Sequence, residues 1–141
     1  EALIKEKISP IICIGEKERD LGGQYLEFLK NQLKDSLSKV TKSSVKKIII
    51  AYEPVWAIGK SGSEAMNPTM IHETVILIRK IMVDLYGPLG RKVPILYGGS
   101  VAPENTREIV SKGEVDGLLV GHQSLLKDNF SKILEEVSKA S

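Results

Sequence analysis

Pro10 to Ile14, Ile48 to Tyr52, Val93 to Tyr97 and Val115 to Val120 are short apolar runs rich in Ile, Val or Leu, each leading into a Gly or Pro. A sheet with one wet face alternates apolar and polar residues, and these runs do not, so they read as strands buried on both faces. Helical patterns fill the intervals. Leu26, Leu29, Leu33 and Leu37 recur at spacings of three and four. Ile71, Val75, Ile78 and Met82 do the same behind the helix-start signal Asn67-Pro68. A shorter helix is predicted from Pro103 to Lys112, closing at Gly113, and a last one from Phe130 to Lys139.

Fully apolar strands alternating with helices imply a parallel sheet with right-handed crossovers, either doubly wound or a β/α barrel. Four β/α units make half of a barrel, since closure with eight takes about 250 residues and this chain has 141. The expected fold is α/β, four parallel units forming one domain over residues 1–141 with the first and last strands as open edges, which is a (β/α)4 half-barrel if the sheet is of the barrel kind. Glu1 lies in what reads as the end of a helix. No linker, low-complexity stretch or internal repeat divides the chain.

Composition removes several classes of function. No apolar run reaches the roughly 18 to 20 residues of a membrane span, and residues 1–15 lack the basic-then-apolar layout of a signal peptide. The 20 basic and 18 acidic residues give no strong field for nucleic acid or lipid, and Cys13, the single cysteine, has no intrachain disulfide partner. A cytoplasmic protein with no nucleic-acid or membrane partner is expected. Two histidines and one cysteine assemble no convincing metal site, and no cofactor is expected.

In parallel α/β folds the chemistry gathers at the carboxyl ends of the strands. The second run ends in Glu53-Pro54-Val55-Trp56-Ala57-Ile58-Gly59. A carboxylate there, beside a loop that opens on a rigid Pro, has the form of a general base next to a water-excluding lid. A Glu that caps the loop or pairs with a Lys fits the same position. The third run ends in Gly98-Gly99-Ser100-Val101 and the fourth in Gly121-His122-Gln123-Ser124. Two small-residue turns in consecutive units can aim backbone N–H groups at one anion, which suggests a phosphate site; taken singly, Gly-Gly is also an ordinary tight turn.

Other patterns fail. Gly59-Lys60-Ser61 imitates the end of a P-loop, but Pro54 occupies the place of the required Gly. His72-Glu73 lacks a second His at Ile76, and Asn129-Phe130-Ser131 matches a glycosylation sequon in a chain with no other sign of secretion.

Taken together, Ala51-Tyr52-Glu53-Pro54-Val55-Trp56-Ala57-Ile58-Gly59, Tyr97-Gly98-Gly99-Ser100-Val101, Val115-Asp116-Gly117-Leu118-Leu119-Val120-Gly121 and, upstream, Cys13-Ile14-Gly15-Glu16 resemble the second half of the triosephosphate isomerase family. The resemblance covers essentially the whole chain and implies strands five to eight of a (β/α)8 barrel. It implies that Glu53 shuttles a proton between the carbons of dihydroxyacetone phosphate and glyceraldehyde 3-phosphate, in glycolysis and gluconeogenesis, and that Pro54 to Met66 form the mobile lid. Glu16 and Glu64 are weaker candidates for the base. By the same resemblance the backbone around Gly59 to Gly62, Ser100, Gly121 and His122 holds the substrate phosphate, and Tyr97 and Ser100 latch the closed lid. Arg79 and Asp116 match a buried ion pair behind the site, and Cys13 a small core residue beneath the base.

Three departures qualify the resemblance. The interval from Gly59 to Pro68 is longer than the usual lid, so its phosphate-binding amide is not assigned to one residue. His122 stands where the family has a second Gly. The Asn and Lys of the first strand and the carbonyl-polarising His of the fourth belong to a half of the barrel that this sequence does not contain. Each such electrostatic partner is worth factors of about 100 to 1,000 in rate, so the chain alone is expected to lack useful turnover. Two readings follow: an enzyme half that needs an amino-terminal half-barrel partner, or a self-associating half-barrel scaffold with a phosphate site and no catalysis.

Overall fold

The structure is a computed structural model and describes residues 1–60 and 65–140. A short helix α1 (Ala2–Lys5) leads to β1 (Ile11–Ile14) and α2 (Gln24–Leu37), then β2 (Ile49–Tyr52) and α3 (Pro68–Tyr86), β3 (Ile95–Tyr97) and α4 (Pro103–Gly113), and finally β4 (Gly117–Leu118) and α5 (Lys127–Ala140). All strand pairs are parallel and the order is β1-β2-β3-β4. That order never reverses. A doubly wound sheet needs a reversal, so right-handed crossovers place every connecting helix on the same face here.

The register fixes which side chains meet the helices. Ile12 pairs with Ile50, Ile50 with Ile95, and Tyr52 with both Ile14 and Tyr97. Ile14, Ile50, Tyr52, Ile95 and Tyr97 are all buried on this face, against Leu29, Leu33 and Leu37 of α2 and Ile71, Val75, Ile78 and Met82 of α3. Full burial of each such side chain contributes about 1.5–3 kcal/mol. The opposite face carries Ile11, Cys13, Ile49, Ala51, Leu96 and Gly117. Ile11 is 45% exposed there, and Cys13 is also exposed. The expectation of strands buried on both faces is thus corrected. The apolar runs are continuous, but among the described residues no second layer covers this face.

Helix starts follow local chemistry. The Asn67 side chain accepts from the Thr69 amide at 2.8 Å with Pro68 in the first turn, as the sequence implied. α2 is capped from a distance by Asp20, whose carboxylate accepts from the Gln24 and Tyr25 amides at 2.9 and 2.8 Å, and those bonds hold its carboxyl below the ordinary range. Leu26, assigned to the inner face, is exposed at the first turn of α2. α4 runs through Gly113, and the left-handed residue that ends it is Glu114, with φ of 51°. Gly113 serves proximity instead: a Cβ there would stand 3.1 Å from Ile71 Cγ2 on α3. α5 begins at Lys127, three residues earlier than predicted.

The predicted strand from Val115 to Val120 shortens to Gly117–Leu118 because it is an edge, paired only to the short β3. One carboxylate compensates. Asp116 Oδ2 accepts from the Ile95 amide and from Arg79 Nη2, each at 2.8 Å, while the Asp116 amide donates to Ile95 O. The predicted Arg79–Asp116 pair therefore forms, but its side chains are 29% and 44% exposed, beside the open edge, so it is not buried. It also lies at the amino ends of β3 and β4, away from the residues at their carboxyl ends. Asp116→Ala should lower the unfolding free energy by about 2 kcal/mol in urea titrations at fixed protein concentration, and Asp116→Asn, which keeps an acceptor, by less. A loss for Asp116→Ala under about 0.5 kcal/mol, the size of an ordinary surface change, would show that the carboxylate does not hold the β3–β4 register.

Candidate active site

Glu53 follows β2 directly and is gripped by both neighbouring strands. Its amide donates to Ile14 O at 2.7 Å, and the Gly98 amide donates to Tyr52 O at 2.8 Å. Gly15 and Gly98 flank it closely: a Cβ at Gly15 would lie 1.8 Å from Glu53 O, a backbone collision, and one at Gly98 would lie 2.7 Å from Glu53 Cγ and so displace the side chain. The carboxylate continues the bare face of the sheet, half-buried, beyond Ala51 and next to Cys13. Partial desolvation, then the Glu53 carboxylate as hydrogen-bond partner and negative charge, push the Cys13 thiol up from its ordinary pKa. Cys13 thus adjoins Glu53 as expected, but it is not a core residue, because no strand faces it.

Behind Glu53 lies a buried polar cluster that sequence reading did not find. Glu16 is 1% exposed. Its carboxylate accepts from Tyr52 Oη at 2.9 and 3.1 Å and from Trp56 Nε1 at 3.0 Å, with Arg19 Nη1 at 3.6 Å. Arg19 also donates to Tyr52 Oη, Thr74 Oγ1 and Tyr25 Oη, and its guanidinium stacks 4.3 Å from the Tyr25 ring centroid. Burial, then the charge of Glu16, push the Tyr52 hydroxyl far above its ordinary pKa. Glu16 thereby ties Val55 and Trp56, in the segment after Glu53, to β2 and to the loop that follows β1, and it does not line the cavity that Glu53 borders. Glu64 and the other lid positions Ser61, Gly62 and Ser63 lie outside the described residues.

The two small-residue turns converge on Glu53. Gly98, Gly99 and Ser100 from one, Gly121 and His122 from the other, and Gly59 and Lys60 from the segment after Glu53 all line one cavity of about 870 Å³ that Glu53 also borders. The first turn is shaped by Asn105, whose amide donates to Ser100 O and accepts from the Ala102 amide, both at 2.9 Å. Ser100 Oγ donates to Ala57 O at 2.8 Å, tying the turn to the segment that follows Glu53. Tyr97 Oη is buried without a hydrogen-bond partner among the described residues, and burial, then the Glu16 charge, push its hydroxyl up. His122 has no positive φ, so the turn accepts its Cβ.

Asn105 was not singled out as a site residue, and Lys60 entered only as backbone within the stretch Gly59 to Gly62. Lys60 could be found only by knowing that the segment after Glu53 folds back over the cavity, whereas Asn105, two residues into the helix that opens at Pro103, matches the third helical position of a capping arrangement. Arg19 carries no local signal at all. Among the described residues no group of three or more His, Cys, Asp or Glu side chains could hold a metal ion, and no helix is long and apolar enough to cross a membrane.

A carboxylate at a strand end, two turns rich in backbone donors and an adjoining loop can together move a proton on a small anionic substrate. Comparison with known proteins bears on this arrangement. The family profile for triosephosphate isomerase matches residues 1–137. A triosephosphate isomerase from Fusobacterium nucleatum is 42% identical over 137 residues, covering 96% of this chain and 54% of that protein. One from Nitratidesulfovibrio vulgaris is 44% identical over 134 residues, covering 93% and 52%. The crystal structure of triosephosphate isomerase from Bartonella henselae superposes with a TM-score of 0.80 at 34% identity, covering 97% of this chain and 54% of that one. The chain spans about half the length of these relatives, and its four parallel β/α units match a TIM-barrel neighbour over that half. By its profile, its relatives and its fold, this chain belongs to the triosephosphate isomerase family.

Proposed function

We propose that this chain is the carboxyl-terminal half of a triosephosphate isomerase barrel, strands five to eight, which interconverts dihydroxyacetone phosphate and glyceraldehyde 3-phosphate once an amino-terminal half completes it. The observation that carries the proposal is the convergence of Glu53 with both glycine-containing turns on one cavity. Glu53 takes a proton from the carbon beside the substrate carbonyl and returns it to the neighbouring carbon, while amides around Gly59, Ser100, Gly121 and His122 hold the phosphate at a fixed distance. Tyr97 and Ser100 latch the lid over the substrate, a role supported by the unpartnered Tyr97 hydroxyl and by the Ser100 bond to Ala57.

The carbonyl must be polarised by another group, and neither histidine of this chain is suited to it. His72 Nδ1 lies 3.6 Å from Glu114 on the helical layer, and His122 belongs to the phosphate turn. By the family resemblance, the electrophile is the His of the fourth strand, supplied with its Lys by the partner half. A second reading, a homo-oligomeric half-barrel scaffold without catalysis, is favoured by the two open strand edges and by exposed Ile8 and Ile11 on one side and Leu126, Phe130 and Leu134 on the other.

In an enzyme assembled from this chain and strands one to four, Glu53→Gln should lower kcat by at least about 100-fold with the assembly intact; near-normal turnover would remove Glu53 from the role of base. Gly98→Ala places a methyl against Glu53 Cγ rather than against backbone, so kcat should fall at least about 10-fold while the unfolding free energy changes by less than about 1 kcal/mol. The reverse pattern would mean that the glycine serves the fold and not the base. In sedimentation the chain alone should associate and show no isomerase activity, and mixing with an amino-terminal half should restore activity that depends on Glu53. A stable dilute monomer would rule out the association, and strong activity from this chain alone would rule out the need for the missing half.

A further inference from the structure

We infer that the imidazole of His122 is a side-chain contact for the anion held by these turns, and that it makes anion affinity fall as pH rises. The inference rests on the phosphate reading of the cavity and adds a charge to it. A turn that binds phosphate through amides alone has no need of a side chain at this position, and its affinity would be insensitive to pH near neutrality. Here the residue after Gly121 is a histidine that lines the cavity, stands exposed, and makes no side-chain hydrogen bond or ion pair with any described residue. The only other histidine, His72, sits beside Glu114 on the helical layer and does not line the cavity.

Glu53 after β2, Lys60 in the segment that follows and Glu104 at the head of α4 line the same cavity as His122, and the next charged residues along the chain are Lys127 and Asp128 at the head of α5. Among these side-chain types only imidazole ordinarily changes charge between pH 5 and 8. The protonated ring donates from both nitrogens and adds a positive charge opposite an anion, where Glu53 and Glu104 otherwise contribute negative charge; the neutral ring keeps one donor and loses the charge. The sign follows from linkage. An anion that binds the protonated form better binds more tightly at low pH, and its binding in turn raises the proton affinity of the ring.

The test uses sulfate on the full chain in whatever assembly it forms, because inorganic phosphate itself changes charge between pH 6 and pH 8 and sulfate keeps its charge. Binding is read from backbone amide chemical shifts of Ser100, Gly121 and His122 at pH 6 and pH 8, at one fixed ionic strength. Sulfate should bind about 3- to 10-fold more tightly at pH 6. His122→Gln, which keeps a donor but cannot ionise, should bind at both pH values with the weaker affinity, and His72→Gln should behave like the parent chain. Binding at these amides with a pH dependence that survives in His122→Gln, or with none in the parent, overturns the assignment to His122 while leaving the phosphate site standing. No sulfate-induced shift at either turn at either pH overturns both.

Discussion

The buried carboxylate of Glu16 is the interaction on which the geometry around Glu53 depends. A carboxylate taken out of water is tolerated only when it is hydrogen-bonded and paired, and here the donors are Tyr52 of β2 and Trp56 of the segment after Glu53, with Arg19 as the opposite charge, itself donating to Tyr25 of α2 and Thr74 of α3. Satisfying Glu16 therefore requires four elements to be correctly placed at once. The Val55 amide donating to Glu16 O adds a backbone tie at the same residue. Loss of the carboxylate would leave Arg19, Tyr52 and Trp56 with unmatched donors in a dry setting, a larger disturbance than loss of an ordinary surface pair. The cluster keeps Pro54 to Ala57 stationary relative to the sheet, so the direction in which Glu53 leaves β2 is set by atoms that never touch the cavity.

The two faces of the sheet have unequal fates, and the site sits on the weaker one. Helices cover Ile14, Ile50, Tyr52, Ile95 and Tyr97, whereas Cys13 and Ile11 remain open on the other side and Glu53 is only half-buried. A general base gains strength when water is excluded, and nothing among the described residues excludes it from this face. Under the proposed function, a second half-barrel would supply the polarising group and the dry wall together. This explains why both the missing chemistry and the exposed apolar surface fall on the same side of the sheet.

Much of this was legible in the sequence. The apolar runs gave the strand positions, Asn67-Pro68 gave the start of α3, and the residues just past each run gave Glu53 and both turns, because parallel α/β folds concentrate their strand ends at one rim. Two kinds of feature were not legible. Continuous apolar runs say that a strand can be buried on both faces but not whether a covering layer is present, which is why Ile11 and Cys13 were misplaced. The Glu16 cluster joins residues 36, 40 and 55 positions apart, each of an ordinary type with no periodic partner. Arg79 and Asp116 were paired by resemblance, but the exposure of that pair depends on the edge beside it, which spacing cannot reveal.

The hydroxyls of Tyr97 and Ser100 differ in a way that bears on the lid. Ser100 has committed its proton to Ala57 O, so it already holds the near end of the segment and gains little from any further approach. Tyr97 Oη is buried with no partner among the described residues, under a turn where a side chain on Gly99 would collide with it at 2.2 Å. A buried hydroxyl without a partner costs about 1–3 kcal/mol. Its burial and the Glu16 charge both disfavour ionisation, so it persists as a neutral donor. Under the proposed function, a closing lid that offers an acceptor would recover that cost at the moment the substrate is enclosed.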